Sequence, residues 1–187
     1  MRVYVVRHGE SETNKAHCWT GWLDVPLTEK GIEDATKAGS LLVGVKFDKL
    51  YSSDLARATK TLETALPTQK YETSHLLREV NVGNIAGKPM IPFTEEEKAL
   101  MAVTGYAAFG GETKEEFRGR VEAFMKKLED SSDRTVGVFC HAGWQRTFLD
   151  LVIGMNLPRK SVQCNNCTVG IFEYENGQWS LHSWINV

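Results

Sequence analysis

Near its start the chain carries a short run of β-branched and aromatic residues, Arg2 to Val6 (RVYVV), in which apolar side chains follow one another without alternation. A strand of this kind is covered on both faces, which is typical of a parallel sheet with helices on either side. We therefore expect this strand to lie in the middle of a sheet and other segments to supply helices for both faces.

Strand and helix patterns alternate along the rest of the chain. Strands are predicted at 48–52, at 134–140 and, more weakly, at 71–77, and a closing hairpin is predicted at 168–174 and 179–184 around Asn176-Gly177. Helices are predicted over 143–153 and after the capping residues Thr28, Ser53, Thr94 and Thr113. This alternation predicts an α/β fold of three layers (α/β/α) with a mainly parallel central sheet.

Length and charge limit the classes of function. We expect the 187 residues to form a single domain over 1–187 with a small cap segment at about 84–111. The 22 Lys and Arg against 24 Asp and Glu give a net charge of −2, so we expect no nucleic-acid or membrane partner. Any recognition of anions must therefore be local.

The compartment is predicted from what the sequence lacks. The apolar start meets Arg7 and His8 too early for a signal peptide, and no apolar stretch approaches the length of a membrane-spanning helix. Four cysteines in a chain able to build its own core favour free thiols. These features predict a cytoplasmic protein.

Polar side chains follow the predicted strands at the points where they end. The first strand leads into Arg7-His8-Gly9-Glu10, the second leads to Arg57 in a helical first turn, and the third leads into His141-Ala142-Gly143. Glu79 follows the weak strand. Because the carboxyl ends of parallel strands meet at one sheet edge, where helix N-termini offer free N–H groups, we expect an anion site there.

These motifs resemble the histidine phosphatase superfamily, in its phosphoglycerate mutase-like group. They appear in the family's order from residue 7 to 143 and are Arg7-His8-Gly9-Glu10 with Asn14, Leu27-Thr28-Glu29-Lys30-Gly31, Ser52-Ser53-Asp54-Leu55-Ala56-Arg57-Ala58 with Thr61, Leu77-Arg78-Glu79 with Gly83 and Gly87, Gly110-Gly111-Glu112 and His141-Ala142-Gly143. The resemblance implies a phosphoglycerate mutase-like fold and phosphoryl-transfer chemistry without a metal or another cofactor.

The resemblance also implies a role for each matching residue. His8 would be the nucleophile that is transiently phosphorylated, and Glu79 would donate a proton to the leaving oxygen and later activate water. Phosphoryl oxygens would be held by Arg7, Asn14, Arg57, His141 and the amide of Ala142, and Thr20 and Gly21 would contact the substrate. We expect Arg7 and Arg57 to lower the pKa of His8, which keeps its ring neutral.

Two activities and one non-enzymatic function remain open. The segment Trp19-Thr20-Gly21-Trp22-Leu23-Asp24 is similar to one that 2,3-bisphosphoglycerate-dependent phosphoglycerate mutases place beside their substrate. Those mutases are longer, and the surroundings of Glu79 look more like the phosphatase branches, so we expect a phosphatase that hydrolyses a small-molecule phosphomonoester. A phosphate-binding scaffold is less favoured because every motif residue is present. Homodimerisation stays open.

Two further features have competing interpretations. Lys88, Phe93, Tyr106 and Phe109 could line a substrate pocket or pack the cap onto the body. Cys164 and Cys167 have redox spacing, but they precede a predicted strand rather than opening a helix. We interpret them as part of a structural turn, and whether they pair stays open.

Overall fold

The computed structural model describes residues 1–158 and 161–187. Its strands are β1 (Arg2–Arg7), β2 (Lys49–Ser52), β3 (Glu72–Thr73), β4 (Thr135–Cys140), β5 (Val169–Glu175) and β6 (Gln178–Ile185). Its α-helices are α1 (Glu12–Lys15), α2 (Glu29–Leu41), α3 (Ala56–Ala65), α4 (Glu95–Thr104), α5 (Lys114–Glu129) and α6 (Ala142–Ile153). Short 3₁₀ helices cover His75–Leu77, Gly83–Ile85 and Gly105–Phe109.

The six strands form one sheet in the order β3-β2-β4-β1-β5-β6. Strands β3, β2, β4 and β1 run parallel, whereas β5 and β6 are antiparallel to their neighbours. The predicted α/β fold with a mainly parallel sheet is confirmed, and β1 lies inside the sheet between β4 and β5, as expected from its continuous apolar run.

Alternate residues of β1 serve two separate apolar cores. Val3 and Val5 pack with residues of α5 and α6, among them Phe124 and Trp144. Tyr4 and Val6 face the opposite side and pack in a core that includes Leu62 of α3. Successive side chains of a strand point to opposite faces, so β1 packs against helices on both sides of the sheet. These two cores show the three-layer (α/β/α) arrangement.

Most of the predicted helix starts are confirmed. Thr28 caps α2 by accepting from the amide of Gly31, and Thr94 and Thr113 each form a capping box with the glutamate three residues on. The prediction for Ser53 is wrong: α3 begins two residues later, with Leu55 at its N-cap and no side-chain cap. Ser53 instead continues from β2, where its amide donates to the Phe139 carbonyl at 2.8 Å.

The weak strand at 71–77 is wrong over most of its length. Only Glu72 and Thr73 pair with β2, and the chain then turns through the 3₁₀ helix at His75–Leu77. The side chain of Ser74 caps this turn by accepting from the amide of Leu76. The turn brings the chain across the sheet edge, so that Glu79 reaches the polar residues that follow β1 and β4.

The segment predicted as a cap contains α4 and the 3₁₀ helix at Gly105–Phe109. Val82, Ile85 and Tyr106 form its small buried core, against which Trp19 and Phe93 pack. In the described parts of the chain, no helix combines the length and apolar character needed to cross a bilayer.

The α5–α6 core dominates one face of the sheet, so we expect Phe124→Ala to destabilise the fold by about 3–5 kcal/mol. Phe124 is fully buried and makes edge-to-face contacts with Tyr51 and Trp144, with ring centroids 5.3 and 5.8 Å apart. Urea unfolding followed by circular dichroism measures the change. Val43→Ala, at a site 81% exposed, is the control and should shift stability by less than about 0.5 kcal/mol. Equal effects of the two substitutions would contradict this packing.

Candidate active site

His8 lies directly after β1 and its ring is held in one tautomer. Its amide donates to the carbonyl of Cys140 at 2.9 Å, and its Nδ1 lies 2.7 Å from the carbonyl of Gly9. A carbonyl oxygen can only accept, so Nδ1 carries the proton and Nε2 keeps a free electron pair. That electron pair is what a nitrogen nucleophile requires.

Two arginines, the fully buried Arg57 and the half-buried Arg7, lie beside this imidazole. Arg57, in the first turn of α3, points its Nε at His8 Nε2 at 3.3 Å and donates through Nη1 and Nη2 to the carbonyls of Leu23 and Gly21, at 2.8 and 2.9 Å. Arg7 donates through Nη1 to the Cys164 carbonyl at 2.5 Å. Burial lowers the pKa of both guanidinium groups, that of Arg57 to about 10, so both stay charged at neutral pH.

The imidazoles of His8 and His141 are neutral. Burial is the largest cause that lowers the pKa of each ring well below 6.5, and the positive charges of Arg57 and Arg7 lower it further. The expected effect of the arginines on His8 is thus confirmed in direction, but desolvation contributes more than the neighbouring charges.

His141 ends β4 and occupies the N-cap position of α6. Its ring lies edge-to-face with that of His8 at 5.1 Å between centroids, and its Nε2 lies 2.9 Å from Ser53 Oγ. Ala142 is the first residue of α6, so its amide is one of the N–H groups that the helix itself cannot satisfy. A phosphoryl oxygen is a suitable acceptor for such a group.

The carboxylate of Glu79 is held at the start of α6. One oxygen accepts from the amide of Gly143 and the other from the amide of Val80, both at 2.9 Å. Only a glycine permits this approach, because a Cβ at position 143 would lie 2.2 Å from Glu79 Oε1. The sequence His141-Ala142-Gly143 therefore places an acid beside the expected phosphate position.

The backbone of Glu79 is anchored by residues that the sequence patterns did not indicate. Arg120 of α5 forms two hydrogen bonds with Glu112, at 2.6 and 2.8 Å, and donates to the carbonyls of Arg78 and Glu79 at 3.1 Å. The indole of Trp22 donates to the Glu79 carbonyl at 2.7 Å. Arg120 sits beside the apolar stripe of an amphipathic helix, so in the sequence it looks like an ordinary surface charge.

The predicted site residues surround one cavity of about 610 Å³. It is lined by eight of them, namely Arg7, His8, Asn14, Thr20, Gly21, Arg57, Glu79 and Ala142. His141 is fully buried, and its ring packs against that of His8. Asn14 uses its amide oxygen to accept from Asn166, so its NH₂ group remains as the donor for a ligand.

The cap contributes an apolar wall to this cavity. Trp19, Met90, Met101 and Tyr106 line it. Phe93 instead stacks between Trp19 and Phe109, with centroids 5.5 Å from each. Of the cap residues considered in the sequence, Tyr106 therefore faces the cavity, whereas Phe93 and Phe109 pack the cap onto the body.

The turn that contains Cys164 and Cys167 supports the site. All four cysteines are free thiols. The Cys164 carbonyl binds Arg7, and the side-chain amide of Asn166 donates to the His8 carbonyl at 3.0 Å. Burial raises the pKa of the Cys140 and Cys164 thiols and raises that of Cys167 to about 12. Among the described residues, no cluster of three or more His, Cys, Asp or Glu side chains could hold a metal ion.

A buried neutral imidazole between two arginines, at the carboxyl edge of a mainly parallel sheet, is the arrangement of an enzyme that handles phosphate. A sequence model of the histidine phosphatase superfamily (branch 1) matches residues 3–187. The chain therefore belongs to the histidine phosphatase superfamily, branch 1.

The names of similar proteins include both phosphoglycerate mutase and phosphatase. The 2,3-bisphosphoglycerate-dependent phosphoglycerate mutase of Streptococcus pneumoniae (strain CGSP14) is 44% identical over 95 residues, which cover 47% of this chain and 41% of that protein. The match thus spans less than half the length of this curated relative.

Solved structures match almost the whole chain. An Escherichia coli protein proposed to be an α-ribazole-5′-P phosphatase has a TM-score of 0.79 at 26% identity and covers 97% of this chain and 94% of its own. A phosphoglycerate mutase from Bacillus anthracis has a TM-score of 0.80 at 26% identity and covers 98% and 92%. This phosphoglycerate mutase is nearly the same length as the chain, so length alone does not distinguish a mutase from a phosphatase.

The lowered pKa values of His8 and His141 predict a loss of stability in mild acid. Both rings stay neutral in the folded protein but are protonated below pH of about 6.5 in the unfolded chain, so the unfolded state binds more protons as pH falls. We expect the free energy of unfolding to decrease from pH 7 to pH 5, with each ring contributing up to about 1.4 kcal/mol per pH unit.

Urea titrations at pH 7, 6 and 5 measure this slope. In His8→Asn one of the two groups is gone, so the dependence on pH should be shallower. An identical slope in the variant would contradict the assignment of His8 as a buried neutral ring.

Proposed function

We propose that the protein is a metal-independent phosphomonoesterase that hydrolyses a small-molecule phosphate ester through a phosphohistidine at His8. The observation that carries this proposal is the fixed tautomer of His8, whose proton is on Nδ1 and whose Nε2 pair lies beside the Arg57 guanidinium. Phosphoryl transfer depends on positioning and on neutralising negative charge, and Arg7 and Arg57 supply that charge directly.

In the first step, Nε2 of His8 attacks phosphorus and the bond to the ester oxygen breaks. Glu79, protonated at this stage, passes its proton to the leaving alkoxide, which departs as an alcohol. The phosphorylated imidazole is positively charged while Nδ1 keeps its proton, and the Gly9 carbonyl at 2.7 Å stabilises that N–H.

In the second step, Glu79 accepts a proton from a water molecule as the water oxygen attacks phosphorus. The bond between phosphorus and Nε2 breaks, its electron pair returns to the ring, and inorganic phosphate leaves. Arg7, Arg57, the Asn14 amide and the Ala142 N–H would hold the phosphoryl oxygens throughout.

The walls of the cavity favour a small organic phosphate as substrate. The apolar side with Trp19, Met90 and Tyr106 suits a carbon skeleton. The lining also includes cationic Lys114, Arg118 and Arg146 from α5 and α6. Four free thiols agree with a cytoplasmic location for the reaction.

A phosphoglycerate mutase is the second candidate. It is favoured by the Thr20-Gly21 segment on the cavity wall and by the mutase name of relatives 44% identical over 95 residues. Against it, the cap between Glu79 and Glu112 has only one α-helix, α4, and short 3₁₀ turns. A larger lid would be expected to keep water from the phosphohistidine during a mutase cycle.

A panel of phosphomonoesters that includes 3-phosphoglycerate, with and without 2,3-bisphosphoglycerate, distinguishes these functions. Release of inorganic phosphate from a member of the panel supports the phosphatase. Bisphosphoglycerate-dependent isomerisation faster than hydrolysis would replace it with the mutase. Phosphate binding without turnover of any ester would indicate the scaffold.

His8→Ala should abolish turnover, since it removes the nitrogen that we propose accepts the phosphoryl group. Rapid acid-free quenching with a ³²P-labelled ester should trap a labelled protein for the natural sequence and none for the variant. The control is Lys60→Ala, at an exposed position of α3, which should keep both signals. Full hydrolytic activity in His8→Ala would refute the proposed nucleophile.

Glu79→Gln should slow turnover by about 10²–10⁴-fold for esters with a poor leaving group, because the amide cannot supply the proton. An activated aryl phosphate needs less protonation, so the variant should lose less activity towards p-nitrophenyl phosphate than towards an alkyl phosphate. Equal losses on both substrates would argue against Glu79 as the acid.

A further inference from the structure

Ser53 and His141 lie side by side at the ends of neighbouring parallel strands. Ser53 follows β2 and His141 follows β4, and the register pairs Ser52 with Phe139 just before them. Both side chains are fully buried, and Ser53 Oγ lies 2.9 Å from His141 Nε2. Ser53 does not form the helix cap expected from the sequence, so its contact with His141 needs another explanation.

The hydrogen bonds of Ser53 fix the direction of this contact. Its Oγ accepts from the amide of Leu55 at 3.4 Å, and the only other polar group that it contacts in the described chain is His141 Nε2. A serine hydroxyl has one proton to donate. If Nε2 were the donor, the hydroxyl proton would be buried without an acceptor, which is costly.

The other ring nitrogen of His141 leads to the same conclusion. Nδ1 is buried and has no hydrogen-bond partner in the described structure. The ring is neutral because burial, Arg57 and His8 lower its pKa, so it carries one proton. When Ser53 donates to Nε2, that proton must be on Nδ1.

We propose that Ser53 is a positioning residue that holds His141 as the Nδ1–H tautomer, so that His141 donates a hydrogen bond to the phosphoryl group. Nδ1 is the ring nitrogen nearer to the main chain of His141, which leads directly into the free amide of Ala142 at the start of α6. The two N–H groups would then bind the same anion. In the opposite tautomer, Nδ1 would present an electron pair to phosphate and repel it.

The hydrogen bond from His141 to the phosphoryl group rests on the proposed function, but the tautomer itself can be measured without any enzymatic activity. In the ¹⁵N-labelled protein, protonated and bare imidazole nitrogens resonate far apart, and the signals of His141 are identified by their loss in His141→Asn. We expect the proton on Nδ1 and a bare Nε2. A proton on Nε2 would overturn the proposal.

Inorganic phosphate is the probe for the proposed hydrogen bond from His141 to the phosphoryl group. As phosphate saturates the His8 signals, the Nδ1–H proton of His141 should shift with the same dependence on concentration. A His141 signal that stays unmoved while His8 responds would overturn the proposed donor role. If neither ring responds, the proposed function fails, while the spectrum of the resting protein still decides the tautomer.

Substitutions supply the kinetic test with p-nitrophenyl phosphate. Ser53→Ala should lower kcat/KM by about 10- to 100-fold, as for the loss of one hydrogen bond to a charged group, and should release His141 into a mixture of tautomers. Ser53→Thr keeps the hydroxyl and should recover most of the rate. The matched control is Ser52→Ala, which removes a buried hydroxyl bonded to the Ser53 carbonyl and should leave the tautomer unchanged.

Full activity together with an unchanged tautomer in Ser53→Ala would overturn the proposal. If Ser53→Ala fails to fold, the tautomer of the natural protein and its response to phosphate decide the question.

Discussion

Two positive charges held at the carboxyl edge of the sheet constrain everything around them. Arg57 is fully buried and Arg7 half-buried, and none of the ion pairs found among the described residues includes either of them. Burying a charge in this way costs free energy unless polar groups surround it. The carbonyls of Gly21, Leu23 and Cys164 provide that surrounding, so two loops distant in sequence are shaped by two guanidinium groups.

Glu79 is held by a different set of contacts from those of the two arginines. Glu79 contacts α6 through its carboxylate, while its main chain is fixed by Arg120 and Trp22. Arg78 lies over the face of the Trp22 indole, 4.8 Å from its centroid, which steadies the indole in turn. Glu79 is thus anchored at both its main chain and its carboxylate, which holds the proposed proton donor in one place.

The sequence predicted the parts of the structure that depend on local patterns. The run of apolar residues in β1, the capping residues Thr28 and Thr113 and the positive-φ turn at Asn176-Gly177 each have a short-range cause, and each appears where expected. The motif resemblance identified the cavity residues, of which Arg7 and His8 stand at the end of a strand. The prediction failed at Ser53 and at 71–77, where the chain is bonded to distant residues, Ser53 to His141 and the Leu76 carbonyl to Trp144 and Arg120.

Residues such as Arg120 could not be found from the sequence. Its function in the fold comes from five partners, the carboxylate of Glu112 and four carbonyls between His75 and Glu79, which only the folded chain brings together. A lysine or glutamine in the same helical position would give the same pattern of polar and apolar residues. The same limit applies to Ser53, whose partner His141 lies 88 residues further along the chain.

The position of β1 in the sheet has a consequence for how the site is assembled. The strand that precedes His8 pairs only with β4 and β5, which begin at Thr135 and Val169. His8 and its strand precede both partner strands in the chain, so β1 has no neighbour until β4 and β5 have been made. Long-range pairing of this kind slows folding and makes it cooperative. The innermost strand and the candidate site that follows it therefore form together, in an event that requires strands far apart in the sequence.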